Sequence, residues 1–240
     1  MIAVARISAF VLWLLLCLVL HLPTKAIAGR SRWPRRFLAG TAWICGSRVT
    51  VAGAPAEPHT LLIANHSSWL DIFVLADATG CAFVSKQDLG NALVLWLADQ
   101  NHTLYVKRED RRGASQQAQA IARKLQRQQP LALFPEGTTG AGDQLLPFRS
   151  ALLGAVTPPP PGVTVRPVAI DYGPAAAEIG WVEESGKENV LRLLGRKGTI
   201  SVTVRLLDPL PPSDDRKALS DQAREAIAAA LTSSRRAATL

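Results

Sequence analysis

The sequence predicts an α/β fold: a single mixed sheet flanked by helices, preceded by an N-terminal membrane-anchoring helical segment. Three observations carry this reading. Short apolar runs of strand length, such as Leu61–Ala64 and Leu131–Phe134, alternate with stretches of helical spacing. Both of those runs end in polar turns, one around His66 and one around Glu136, and the carboxyl ends of strands are where α/β proteins place their chemistry. The chain also begins with a nearly unbroken apolar stretch followed closely by arginines. Its 240 residues suffice for one sizeable core. No repeat or flexible linker divides them, so residues 1–46 read as an anchor with an interfacial helix and 47–240 as one α/β domain.

Taken in order, Ile7 to Leu22 is apolar almost throughout, a little short of the ~20 residues of a spanning helix unless Met1 to Ala5 extend it. A signal peptide is the competing reading, with Arg6 as its basic start and Ala26-Ile27-Ala28 as a small-residue cleavage site. The length of the run and the density of Arg30, Arg32, Arg35 and Arg36 favour a retained anchor. Those arginines place the downstream chain on the cytoplasmic side of the inner membrane. Arg35 to Cys45 reads as a second helix along the interface, with Trp33, Phe37, Trp43 and Ile44 as apolar anchors.

Arg48–Ala52 alternates as a strand does, and Leu61–Ala64 is a buried one. Ser67 and Ser68 are candidate caps for a helix running to about Ala78. Cys81–Ser85 and Thr103–Val106 are strand-like, with a short helix from about Gly90 to Asp99 between them. Gly113 to Gln128 has helical spacing of Ala118, Ile121, Ala122 and Leu125. Leu131–Phe134 is a buried strand, and a short helix ends near Ala155. Val163–Ile170 contains Pro167, which predicts an edge strand or a bulge. Asn189–Leu194 reads as helix and Thr199–Leu207 as strand. A last helix is capped by Ser213, with acidic residues first and Arg235-Arg236 near its end.

The charge balance, 27 Lys and Arg against 19 Asp and Glu for a net +8, fits anionic lipid or an acidic protein partner. Few aromatics and no zinc-finger or RNP-type pattern argue against nucleic acid. Cys17, Cys45 and Cys81, odd in number and in apolar contexts, read as buried thiols in a reducing compartment. No G-x-S-x-G, no H-E-x-x-H and no metal-ligand spacing is present, and Gly180–Lys187 fits a Walker A loop poorly.

The strongest constellation is Asn65-His66-Ser67-Ser68-Trp69-Leu70-Asp71. Asp71, one helical turn on, is placed to reach one nitrogen of His66 and leave the other free to accept a proton. A lone His beside an Asp is more often a capping or surface pair. The second glycine-rich turn, Phe134-Pro135-Glu136-Gly137-Thr138-Thr139-Gly140, raises the weight of a shared site.

The His-x-x-x-x-Asp motif, a basic turn at Lys107-Arg108, the Phe134-Pro135-Glu136-Gly137-Thr138 motif and Val165-Arg166-Pro167-Val168 stand in the order found in glycerolipid acyltransferases. Over about Leu61 to Tyr172 the chain resembles that family, and in particular the 1-acyl-glycerol-3-phosphate acyltransferases. The resemblance implies transfer of a fatty acyl group from acyl-CoA or acyl carrier protein to the hydroxyl of a lysophospholipid, with no cofactor. His66 would be the general base and Asp71 its orienting partner. Lys107, Arg108, Glu136, Gly137, Thr138 and Thr139 would bind substrate. Where the family has Arg after E-G-T this chain has Thr139: either one phosphate contact is missing or Arg149 supplies it from nearby. The same departure keeps a lyso-amino-acid lipid open as acceptor. A lipid hydrolase and a non-enzymatic, membrane-tethered lipid-binding module are the readings from other classes.

Overall fold

Strand β2, Thr60–Ala64, is buried at every position because it lies in the middle of the sheet with both faces covered. The computed structural model describes residues 1–86, 91–106 and 114–237. Within them the other strands are β1 (Ser47–Ala52), β3 (Ala82–Lys86), β4 (Leu104–Val106), β5 (Leu131–Leu133), β6 (Thr164–Asp171) and β7 (Ile200–Leu206). Their order across the sheet is β1-β7-β6-β2-β5-β3-β4. All neighbours run parallel except β6 and β7, so the sheet is mixed, as the sequence predicts. Parallel β2 and β5 lie side by side, with Leu61 opposite Leu131. Their carboxyl ends therefore deliver His66 and Glu136 to the same edge.

The helices are α1 (Ile2–Ala28), α2 (Trp33–Ile44), α3 (Leu70–Thr79), α4 (Ala92–Gln100), α5 (Ala114–Leu125), α6 (Ala176–Ile179), α7 (Gly186–Gly195) and α8 (Arg216–Ala237), with a 3₁₀ helix at Ser150–Val156. Alternation along the strands splits the core in two. Leu62, Ala64, Ala132 and Phe134 face α2, α3 and α7. Leu61, Ile63, Leu131 and Leu133 face α5, the 3₁₀ helix and α8.

Helix α1 is docked near both ends. Arg6 donates to the carbonyls of Leu193 and Leu194 at 3.2 Å and of Gly198 at 3.0 Å, satisfying the open end of α7. Nineteen residues later Lys25 Nζ donates to Gln100 Oε1 at 2.9 Å, and the His21 ring meets the same oxygen at 3.1 Å. Trp13 donates to the Phe37 carbonyl, tying α1 to α2 between those points. The opposite face leaves Val4, Leu12, Leu15, Val19 and Leu22 exposed.

Two expectations are corrected. β6 is neither an edge nor bulged at Pro167, which pairs with Ile63 of β2. In the register with β7, Pro167 faces Leu207, whose N–H reaches the proline carbonyl at 3.0 Å. The reciprocal bond, which proline cannot donate, is replaced by Arg166 Nε on the Leu207 carbonyl. The buried Arg166 also reaches the carbonyls of Pro55 and Leu206 at 3.1 and 3.0 Å. Helix α8 is capped by Asp215, whose Oδ1 accepts from the amides of Lys217 and Ala218 at 2.7 and 3.3 Å, rather than by Ser213. The three cysteines are free and buried.

Candidate active site

The turn after β2 is locked before it reaches the histidine. Asn65 extends the ladder with its side chain: Nδ2 donates to the Ile170 carbonyl at 3.0 Å, and Oδ1 accepts from the Ile170 amide at 2.8 Å. The serines after His66 do not cap α3 through their hydroxyls to N2 or N3. Instead Asp71, in the first turn, reaches back, and its Oδ2 accepts from the amides of Ser67 and Ser68 at 2.6 and 2.8 Å. A negative group there also suits the helix dipole.

The same Oδ2 lies 2.9 Å from His66 Nδ1, and Oδ1 accepts from the Tyr172 hydroxyl at 2.7 Å. Asp71 is fully buried. A carboxylate with that many donors offers the imidazole only an acceptor, so Nδ1 carries the hydrogen and Nε2 holds the lone pair of the neutral ring. Burial, and then the neighbouring Asp71 charge, hold the Tyr172 phenol well above its ordinary pKa, so it stays a donor. The imidazole stacks on Phe134 at 4.2 Å between centroids, with Phe83 beyond it at 6.2 Å.

The His66 side chain is 15% exposed. It forms part of the wall of a cavity of about 340 Å³ between α1, α2, α3, β3 and α4, lined by Phe10, Leu14, Leu18, Phe37, Phe73 and Leu97 among others. The lining is almost wholly apolar.

The glutamate turn is stitched to the histidine turn. Glu136 Oε1 accepts from the His66 amide at 2.6 Å, and Oε2 from the Leu146 amide at 2.9 Å. The Gly140 amide donates to the His66 carbonyl at 3.0 Å, and the Trp181 amide to the Ser67 carbonyl at 3.0 Å. Gly137 sits at φ 79°, a left-handed turn that favours glycine. Burial raises the Glu136 pKa despite the two amides, which pull it down.

The predicted residues thus divide. His66 and Asp71 are in contact. Glu136 is adjacent but buried, with both oxygens held by backbone amides. Thr139 donates its hydroxyl to the Trp181 carbonyl at 2.8 Å. Thr138 is exposed beside it, and Arg149 is exposed on the segment whose amide donates to the Pro135 carbonyl at 2.9 Å. Lys107 and Arg108 lie outside the described residues. Trp69 is partly buried and donates to Asn189 Oδ1 at 2.7 Å, while Leu70 is fully buried. Among the described residues no three His, Cys, Asp or Glu side chains gather as a metal set. Sequence reasoning missed Tyr172 and the clamp made by the Asn65 side chain. Tyr172 lies 101 positions from Asp71 and carries no local signal.

A histidine held by a buried carboxylate at the carboxyl edge of a parallel sheet, beside an apolar cavity, is the arrangement of a hydroxyl-activating transferase or hydrolase. Comparison with known proteins decides the class. Residues 48–171 match the sequence profile of the Acyltransferase family, and the chain belongs to that family. It is 36% identical over 224 residues to the lyso-ornithine lipid O-acyltransferase of Pseudomonas aeruginosa, covering 87% of this chain and 84% of that one. It is 33% identical over 183 residues to the 1-acyl-sn-glycerol-3-phosphate acyltransferase of Neisseria gonorrhoeae, covering 73% and 71%. The crystal structure of the 1-acyl-sn-glycerophosphate acyltransferase of Thermotoga maritima shares the fold, with a TM-score of 0.62 at 20% identity over 83% of this chain and 77% of that one. The protein is an acyltransferase.

Proposed function

We propose that this acyltransferase moves a fatty acyl group from a thioester, acyl-CoA or acyl carrier protein, to the free hydroxyl of a lyso-lipid. His66 is the general base. Its Nε2 takes the hydroxyl proton as the oxygen attacks the thioester carbonyl. Collapse of the tetrahedral intermediate breaks the C–S bond, and the sulfur leaves with that proton, so the imidazole ends neutral. Asp71 orients the ring and stabilises the imidazolium. The thioester is already activated, so positioning carries much of the remaining barrier. The observation that supports this most is a carboxylate-held imidazole on the wall of an apolar cavity suited to an acyl chain, with no hydrogen bond to Nε2 among the described residues.

The docking of α1 supports attachment to one leaflet. Arg6 and Lys25 both bond to the folded domain, about 28 Å apart along the helix. A helix crossing the bilayer would drag one of those contacts through it. Lying in the cytoplasmic leaflet, α1 keeps both contacts and buries its free apolar face in lipid.

The first acceptor is 1-acyl-glycerol-3-phosphate. A second reading, a lyso-amino-acid lipid, is favoured by Thr139, which stands where the family carries arginine and spends its hydroxyl on Trp181. The deciding experiment offers purified protein both acceptors with each donor and identifies the products by mass. Transfer to neither acceptor, with wild-type protein folded in lipid, would sink the proposal.

A further inference from the structure

A second cavity, of about 310 Å³, meets the histidine turn from the other side of the sheet. It lies between the 142–145 segment and the last turns of α8, and Asn65, Ser67, Glu136, Gln144, Arg224 and Thr232 are in its wall. Arg224, Ala228, Leu231 and Thr232 share one helical face, so α8 presents one stripe to it. Unlike the apolar cavity, this one is built largely of polar groups.

Its one cationic member among the described residues is under-used. The half-buried Arg224 guanidinium donates to the Leu145 carbonyl at 3.3 Å and the Leu146 carbonyl at 3.4 Å, both long bonds. It has five N–H donors in a planar fork. Among the described residues no carboxylate comes within ion-pair distance of it. Two acidic residues share the wall: Glu136 has both oxygens committed to amides, and Asp143, on the 142–145 segment, lies beyond ion-pair distance of the guanidinium. A partly desolvated guanidinium with spare donors matches an oxyanion with several acceptor oxygens.

We propose that this cavity is the subsite for an anionic group, phosphate in type, on a substrate whose reacting atoms lie at His66. The substrate then lies across the carboxyl edge of β2 and β5. Its acyl chain is on the α1–α4 side of the sheet and its charged end on the α8 side. Arg224 supplies the cation that the E-G-T-T turn does not carry at Thr139. The inference rests on the acyl-transfer reading above. The anion is either the phosphate of the donor's pantetheine arm or the headgroup of the acceptor, and kinetics separates them.

The test is steady-state kinetics on the full chain in lipid, varying donor and acceptor in turn. Arg224→Gln and Thr232→Glu each raise one KM by about tenfold or more, the size of a lost charged hydrogen bond. Arg224→Lys recovers part of the loss. Arg216→Gln, at the exposed start of α8, changes neither KM. The Thr232 variant leaves the bonds to Leu145 and Leu146 in place, so it reports on the cavity and not on loop support. A rise in donor KM places the pantetheine phosphate there, and a rise in acceptor KM places the headgroup. If both KM values stay unchanged in both variants, or if only Arg224→Gln loses turnover together with thermal stability, the subsite does not exist. Absence of transfer by the wild-type protein is a different result and removes the acyl-transfer reading itself.

Discussion

The two turns at the carboxyl edge of the sheet look alike in sequence and differ in what they have left to give. Each follows a buried strand and presents an ionisable side chain. In the glutamate turn the side chain is spent: both Glu136 oxygens hold backbone amides, one of them the amide of His66 itself. In the histidine turn one ring nitrogen is held by Asp71, and the ring forms part of a cavity wall. On the proposed mechanism, uncommitted hydrogen-bonding capacity next to space, more than residue type, makes His66 the reacting group and Glu136 the scaffold.

Substitutions can break this contrast. His66→Ala is expected to lower kcat at least ~100-fold, the usual worth of a general base, and to cost about 1–3 kcal/mol of stability for the donor lost at Asp71. Most of the turnover surviving in that variant would make the histidine turn a scaffold too. Asp71→Asn should cost less, about 10-fold to 100-fold in kcat, because the ring keeps its place on Phe134 but loses the charge behind Nδ1. A loss equal to that of His66→Ala would mean that Asp71 does more than orient.

Glu136→Gln sharpens the contrast from the other side. An amide side chain has one acceptor oxygen where two amides need partners, so the joint between the turns loosens. Turnover is expected to fall by about tenfold without a change in the pH profile of kcat. The stability effect has a definite sign. Because burial raises the native pKa of Glu136 above its ordinary 4.5, the native state holds this proton more tightly than the unfolded chain. Wild-type stability, measured against the glutamine variant, therefore declines as pH rises from the ordinary glutamate value through the raised native one, then levels off. Thermal midpoints across that window that move the other way would contradict the burial argument. Tyr172→Phe is the mildest change: it removes one donor to a buried carboxylate and is expected to cost about 1–3 kcal/mol of stability by denaturant unfolding. Activity should fall less than in Asp71→Asn.

Much of the site could be read in advance from its local chemistry. The pairing of His66 with Asp71 follows from five residues of spacing across a strand-to-helix turn, and the glycine after Glu136 follows from the turn it must make. Pro167 misled, because a proline is excluded from a sheet interior only where its missing N–H is needed. Here the register with β7 and a guanidinium one residue away supply the bond. Ser67 and Ser68 misled because the turn is closed from the other direction: Asp71 in the first helical turn takes the amides of both serines, and among the described residues the Ser68 hydroxyl accepts only from the Leu70 amide at 3.3 Å.

The sequence by itself determined the order of strands and helices, the apolar amino terminus and the histidine with its partner. These depend on periodicity and on neighbours a few positions away. Tertiary structure alone decided that β5 lies beside β2, that Tyr172 completes the Asp71 cluster and that Arg224 faces a polar cavity. Each of these joins residues separated by tens of positions, and a chain carries no local mark of which distant groups its folding will bring within hydrogen-bonding reach.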